Sequence, residues 1–196
     1  MINKIGIIGG TGKMGSSFRK VFTKIGYDVI VSDEKTKDLE KVILNTCDWI
    51  ILTVPIDKTL SVYKTIKEKI SKNQVFSDFT SVKSILKDEL KKSNYEIISC
   101  HPLFGPLNDF KGQNIITIPV KNGKKYKYIK EIFNKIGLNT TEINSLKEHD
   151  KYMSIIQGMT HFSHVCFTTA MKKINPNLDK IMEICSPIYL SNIAFS

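Results

Sequence analysis

Arginine is all but missing from this 196-residue chain: Arg19 stands alone among 29 basic residues. Arginine is the usual two-pronged partner of carboxylate and phosphate, so anions here must be met mainly by lysine or by backbone. Long apolar runs are missing too, and no segment nears the roughly 20 residues that a membrane span requires. No basic leader with an apolar stretch precedes the strand-like residues 4–8. The four cysteines, Cys47, Cys100, Cys166 and Cys185, form no C-x-x-C pair, and each sits among apolar neighbours as buried thiols do. These absences argue against a disulfide framework, a membrane protein and an exported one. They point to a soluble protein of the reducing cytoplasm.

What is present is a formal charge of +10, from 29 basic against 19 acidic residues, on a chain that is 41% hydrophobic. That is enough apolar material for one large domain and part of a second. A basic balance raises nucleic acid as a partner, but the lysines are spread through almost every segment and do not cluster with aromatics. They read as a solvated surface that attracts small anions.

Short β-rich runs at 4–8, 28–31, 49–54, 74–78, 96–100 and 115–119 alternate with amphipathic stretches at 14–25, 59–70, 82–92 and 127–136. Strands alternating with helices of this length predict βαβ units. Runs such as "WIILTV" are apolar throughout, as strands covered on both faces are. The expected fold is α/β, a Rossmann-type, mostly parallel sheet over residues 1–143. From Ser145 the pattern turns wholly helical, with "SLKE" as a capping box. That helix is expected to reach about Lys172, with "INPN" interrupting it and a shorter helix at 178–185. Residues 144–196 are too few for a convincing core of their own, so they are expected to form an incomplete helical segment, the start of a substrate and dimerisation domain.

The first strand runs into Gly9-Gly10-Thr11-Gly12-Lys13-Met14-Gly15, where Gly10, Gly12 and Gly15 fit G-x-G-x-x-G. Such a loop allows a tight turn, close approach to a diphosphate and helix packing on the strand, with the anion at the helix N-terminus. Asp33, at the end of the next strand, has the spacing of a ribose-binding carboxylate. It predicts NAD over NADP, since a carboxylate repels a 2′-phosphate; Lys35 nearby weakens that preference. Thr53, Val54 and Pro55, at the end of the third strand, are expected to border the same cofactor. In "SDFTSVKS", Ser81 reads either as a helix cap or, with Lys83, as a hydroxyl and an ammonium facing the crevice. His101 follows an apolar strand and precedes a Pro-Gly-rich loop, which places an imidazole at the sheet's carboxyl edge as a candidate acid or base. Further on, His149, Met153, Gln157, Thr160 and His164 form one polar helical stripe with His161 beside it. His161 and His164 lack a third ligand nearby, so no metal site is expected.

"GGTGKMG", "SDFTSVKS", "HPLFGP", "EHDKYM…QGMTHF" and "SPIY" occur in the order seen in prephenate dehydrogenases, and the chain resembles that family from Lys4 to about Tyr189. The resemblance implies NAD-dependent oxidation of prephenate to 4-hydroxyphenylpyruvate, CO2 and NADH, in tyrosine biosynthesis, with arogenate as the near variant. It implies that His101 is the catalytic histidine at the ring hydroxyl, that Ser81 lies near it, and that Thr160, His161 and His164 face the substrate. Leu190 stands where many members carry an arginine after "SPIY", and relatives continue past the position of Ser196. A homodimer through the helical segment is therefore expected, with no nucleic-acid or membrane partner. A catalytically weak dinucleotide-binding module that works with a partner chain is the second reading. Another NAD(P)-dependent reductase of the same fold is the third; it accounts for the glycine loop but not for "HPLFGP".

Overall fold

The computed structural model describes residues 1–187 and 189–190; Ile188 of "SPIY" and the last six residues of the expected helical segment lie outside them. A seven-stranded sheet carries β1 (Lys4–Ile8), β2 (Asp28–Ser32), β3 (Trp49–Leu52), β4 (Val75–Asp78), β5 (Glu96–Pro102), β6 (Asn114–Lys121) and β7 (Asn139–Glu142) in the order β2-β1-β3-β4-β5-β6-β7. Every pairing among these strands is parallel except that of β5 with β6, where His101 lies opposite Ile116. The expected Rossmann-type sheet is present.

Side-chain alternation decides which helices cover which face. Ile5, Ile7 and Trp49 point to the face covered by α1 (Lys13–Lys24) and α5 (Tyr126–Lys135). There the Trp49 ring lies 5.6 Å from both Phe22 and Phe133. On the opposite face, Tyr63 of α3 (Ile56–Ile66) packs on Phe76 at 4.9 Å. Ile43 of α2 (Lys37–Thr46) fills the space that a Cβ at Gly6 would need. All four residues of β3 are buried, which explains its unbroken apolar sequence.

Carboxylates and an amide fasten the amino-terminal edge of the sheet. Asp48 accepts from the Asn3 and Lys4 amides at 2.8 and 3.0 Å, and Glu96 from the Lys125 and Tyr126 amides at 3.0 and 2.7 Å. Gln74 donates to the Leu44 and Cys47 carbonyls.

Two features depart from the sequence reading. The helix expected at 82–92 shrinks to α4 (Lys87–Lys91), because the preceding residues are held by buried side-chain bonds described below. An additional strand, β7, closes one edge of the sheet. It is short and largely exposed, so it lacks the apolar signature of a central strand.

The helical region begins as expected. The Ser145 hydroxyl accepts from the Glu148 amide at 3.1 Å, and α6 (Leu146–Met153) follows. A π-helical stretch (Ser154–Met159) leads into α7 (Thr160–Ile174). Asn175 then takes a left-handed conformation at φ 46°, and Asn177 caps α8 (Leu178–Ile184) by accepting from the Lys180 amide. By contacts, the chain divides into two units, Met1–His149 and Asp150–Ser196. Among the described residues, no helix is long and apolar enough to cross a membrane.

Candidate active site

Chain direction locates the first cleft. From β1 the chain moves to β2 on one side; from β2 it crosses back to β3 on the other, leaving a crevice beyond the carboxyl ends of β1 and β3. A cavity of about 700 Å³ opens there, lined by Gly9, Thr11, Gly12, Asp33, Thr53, Val54 and Pro55 among others.

The glycine loop is shaped by close approach. At Gly15, an added Cβ would lie 2.6 Å from the Gly9 carbonyl oxygen and 2.7 Å from the Gly10 Cα, so only glycine lets α1 pack on the end of β1. At Gly12, the N-cap of α1, a Cβ would meet only the Gly9 carbonyl, so the loop stays open. No side chain caps α1 and its first turn holds no acid, so its N–H groups suit a diphosphate. Asp33 stands at the far wall, where the Thr11 hydroxyl donates to it at 2.7 Å and the Lys35 and Thr36 amides at 2.8 and 2.9 Å. Hydrogen bonds from Thr11, Thr36 and the Lys35 amide hold its carboxyl below the usual carboxylate range. An ionised acceptor thus waits at the depth where an adenosine ribose would lie, and these residues fit a dinucleotide.

A second pocket, of about 250 Å³, shares Thr53 and Val54 with the first and adds Met14, Phe79, Thr80, Ser81 and His101. The structure therefore brings Ser81 and His101 together, beside the inner end of the dinucleotide cleft. His101 is nearly buried, and its Nδ1 lies 2.9 Å from Nε2 of the fully buried His149.

Beneath this pocket is a buried ionic cluster. Lys83 Nζ lies 2.6 Å from Asp78 Oδ1 and donates to the Cys100 carbonyl at 2.6 Å; both charged side chains are 1% exposed. Ser99 donates to the second Asp78 oxygen at 2.5 Å, and the Thr80 hydroxyl also donates to Asp78. Burial alone would raise the Asp78 carboxyl, but the Lys83 ammonium and these hydroxyls outweigh it and hold the group below its ordinary value. The cluster ties the Ser81 loop to the strand that presents His101.

Several sequence expectations change. Lys83 does not offer its ammonium to the crevice; it is buried against Asp78. Ser81 caps no helix, since α4 starts only at Lys87. Cys47 and Cys100 are buried, and burial pushes their thiols up to about 11 and about 12, but Cys166 is exposed and Cys185 half-buried. Thr160, His161 and His164 lie on α7, in the Asp150–Ser196 unit, where the Thr160 hydroxyl donates to the Ile156 carbonyl. His149, expected on a polar helical stripe, belongs to the first unit and is a fully buried partner of His101. Sequence reasoning missed the roles of His149 and Asp78; "EHDKYM" was the available signal for the first, and the acid five residues before Lys83 for the second.

Residues 14–142 match the family model of the prephenate dehydrogenase nucleotide-binding domain. The chain belongs to this family. It is 28% identical over 205 residues to the probable arogenate/prephenate dehydrogenase of Methanocaldococcus jannaschii, covering 94% of this chain and 46% of that protein. It is 29% identical over 195 residues to the T-protein of Haemophilus influenzae, covering 98% and 52%. The chain thus spans about half the length of the curated relatives it matches. Among solved structures, the fold is similar to that of Synechocystis arogenate dehydrogenase, with TM-score 0.74 and 17% identity over 96% of this chain and 77% of that one. Aquifex aeolicus prephenate dehydrogenase gives TM-score 0.73 and 19% identity over 99% and 85%.

Proposed function

We propose that this chain carries the dinucleotide site and the proton-transfer residues of an NAD-dependent prephenate dehydrogenase. The observation that supports the reading is the shared wall of the two cavities: Thr53 and Val54 border both the dinucleotide cleft and the pocket of Ser81 and His101. A substrate there would lie between the hydride-accepting end of the cofactor and an imidazole. A solved Aquifex aeolicus relative is described in complex with hydroxyphenyl propionate and NAD+, a pairing of the kind proposed.

NAD, when bound, supplies the hydride acceptor. Asp33 takes the ribose hydroxyls, while the first turn of α1 faces the diphosphate. His101 accepts the proton of the substrate ring hydroxyl as the hydride leaves the same carbon, and Ser81 steadies that hydroxyl. The carboxylate on the ring departs as CO2, its bonding pair completes the aromatic ring, and His101 returns the proton to the phenolate oxygen so formed. Prephenate and NAD+ thus give 4-hydroxyphenylpyruvate, CO2 and NADH. Aromatisation drives the reaction, so the protein contributes mainly orientation and one base. A surface rich in lysine favours arrival of the dianionic substrate.

In this reading Thr160, His161 and His164 of α7 are substrate-binding residues. The end of the π-helical stretch and α7 expose Met159, Phe162 and Val165 at 66%, 70% and 62%, apolar side chains suited to a homodimer through the helical segment. The four unpaired cysteines suit a cytoplasmic location.

Absorbance of NADH, with purified protein, NAD and either prephenate or its amino counterpart arogenate, tests the reading and separates the two substrates. His101→Asn is expected to lower turnover roughly 10²–10⁴-fold while leaving NAD affinity nearly unchanged. Normal turnover by that variant would assign the base elsewhere, with His161 next.

A further inference from the structure

The proton on His101 has two possible positions, and only one suits a base. We propose that His149 is a positioning residue that fixes His101 as its Nδ1–H tautomer, leaving Nε2 to take the proton from substrate. The inference rests on the reading of His101 as the base of the proposed reaction.

Geometry carries it. Nδ1 of His101 and Nε2 of His149 are 2.9 Å apart, a hydrogen-bond distance, with both rings buried and tilted at 62° to each other. The two rings come from independent anchors. His101 sits near the end of β5, between Asp78's cluster, which grips the neighbouring Ser99 and Cys100, and the β6 register at Ile116. His149 sits in α6, its amide bonded to the Ser145 carbonyl at 3.0 Å and its helix capped by the Ser145 hydroxyl. The backbone that carries each ring is thus held by its own secondary-structure element.

Chemistry then fixes the direction. One N–H lies between two facing imidazole nitrogens, and the tautomer of each ring follows from which one owns it. If His149 donates from Nε2, a neutral His101 must carry its proton on Nε2 and has no lone pair there to accept another. If His101 donates from Nδ1, its Nε2 is an acceptor and His149 holds its own proton on Nδ1. When His101 gains the substrate proton, the Nδ1–H···Nε2 bond becomes charge-assisted and strengthens as positive charge develops. His149 therefore touches neither substrate nor cofactor, and acts through His101.

The test reads the tautomer directly. In the 15N-histidine-labelled chain at pH 8, two-bond 1H–15N correlations identify the His101 ring as the signal lost in His101→Asn. A protonated Nδ1 and an unprotonated Nε2 are expected in the parent. In His149→Leu the pattern should shift to Nε2–H or to an averaged mixture, and in His149→Gln, whose side-chain oxygen can accept, it should remain Nδ1–H. With substrate and NAD, His149→Leu should lose roughly 10–100-fold in kcat with little change in KM, part of what a general base contributes. His149→Gln should recover a large share. An Nε2–H ring in the parent overturns the proposal, a measurement that needs no variant to fold. So does a folded His149→Leu protein whose His101 remains Nδ1–H. If the parent shows the expected tautomer but turns over neither prephenate nor arogenate, the histidine pair stands and the assigned reaction falls.

Discussion

Lys83→Met should unfold the dinucleotide-binding unit far more readily than any surface lysine substitution. The change keeps the aliphatic stem but leaves the Asp78 carboxylate, which is 1% exposed, without the ammonium now 2.6 Å away. Removing one partner of a buried ion pair costs about 3–5 kcal/mol, because a charge is stranded in a medium that cannot solvate it. Set against a total of about 5–15 kcal/mol for a domain, that is a large fraction. With a urea dependence of about 2 kcal/mol per molar, the midpoint should fall by roughly 2 M. Trp49 is the only tryptophan in the chain and is fully buried in this unit, so its fluorescence follows the transition. Adding Asp78→Asn to Lys83→Met removes the stranded charge and should recover much of the loss. The pH dependence has a definite sign. In the parent, the carboxyl of Asp78 is held below its unfolded value, so its contribution is complete above about pH 4 and is lost as pH falls through the lower folded value. In Lys83→Met, burial without the lysine raises the folded value above the unfolded one, so the deficit is greatest at neutral pH and narrows as the acid protonates. A Lys83→Met curve that overlays the parent's, or a deficit that does not narrow towards pH 5, would refute this account of the cluster.

Asp33→Ala should weaken NAD binding and relax discrimination against NADP in parallel fluorescence titrations; parent protein that binds NADP the more tightly would remove Asp33 from this role. Gly15→Ala should abolish dinucleotide binding and lower thermal stability, since its methyl group meets backbone at 2.6–2.7 Å; calorimetry that finds the variant as stable as the parent contradicts the packing argument. Light scattering at micromolar concentration should report a dimer or larger, and a stable monomer with full turnover on prephenate would sink the association claim.

The Rossmann-type sheet was legible because strands such as β3, buried on both faces, write their burial into unbroken apolar runs. β7 was not, because Asn139–Glu142 is a short polar edge whose pairing with β6 is a backbone affair. The glycine loop, Asp33 and the third-strand residues were legible as one cleft because their spacing follows from the βαβ path. Ser81 and His101 were identified separately, and the loop between β4 and α4 brings them to a common pocket. That loop reads as helix from its sequence because its deciding contact, Lys83 with Asp78 and the Cys100 carbonyl, spans strands and leaves no periodic trace. The pairing of His101 with His149, 48 residues on, is equally non-local.

The sheet has a working end and a fastening end. Every cofactor-lining residue proposed within the Met1–His149 unit lies beyond the carboxyl ends of the strands, whereas Asp48, Gln74 and Glu96 bind backbone at the opposite end. Those three side chains make bonds that do not depend on what the distal loops contain. Variation can therefore accumulate around the cleft, retuning which anion or nucleotide is held, while the opposite rim keeps strand order and register intact. The scaffold is in this sense modular along its strands, and loop exchange at the carboxyl end is the natural route to a new specificity.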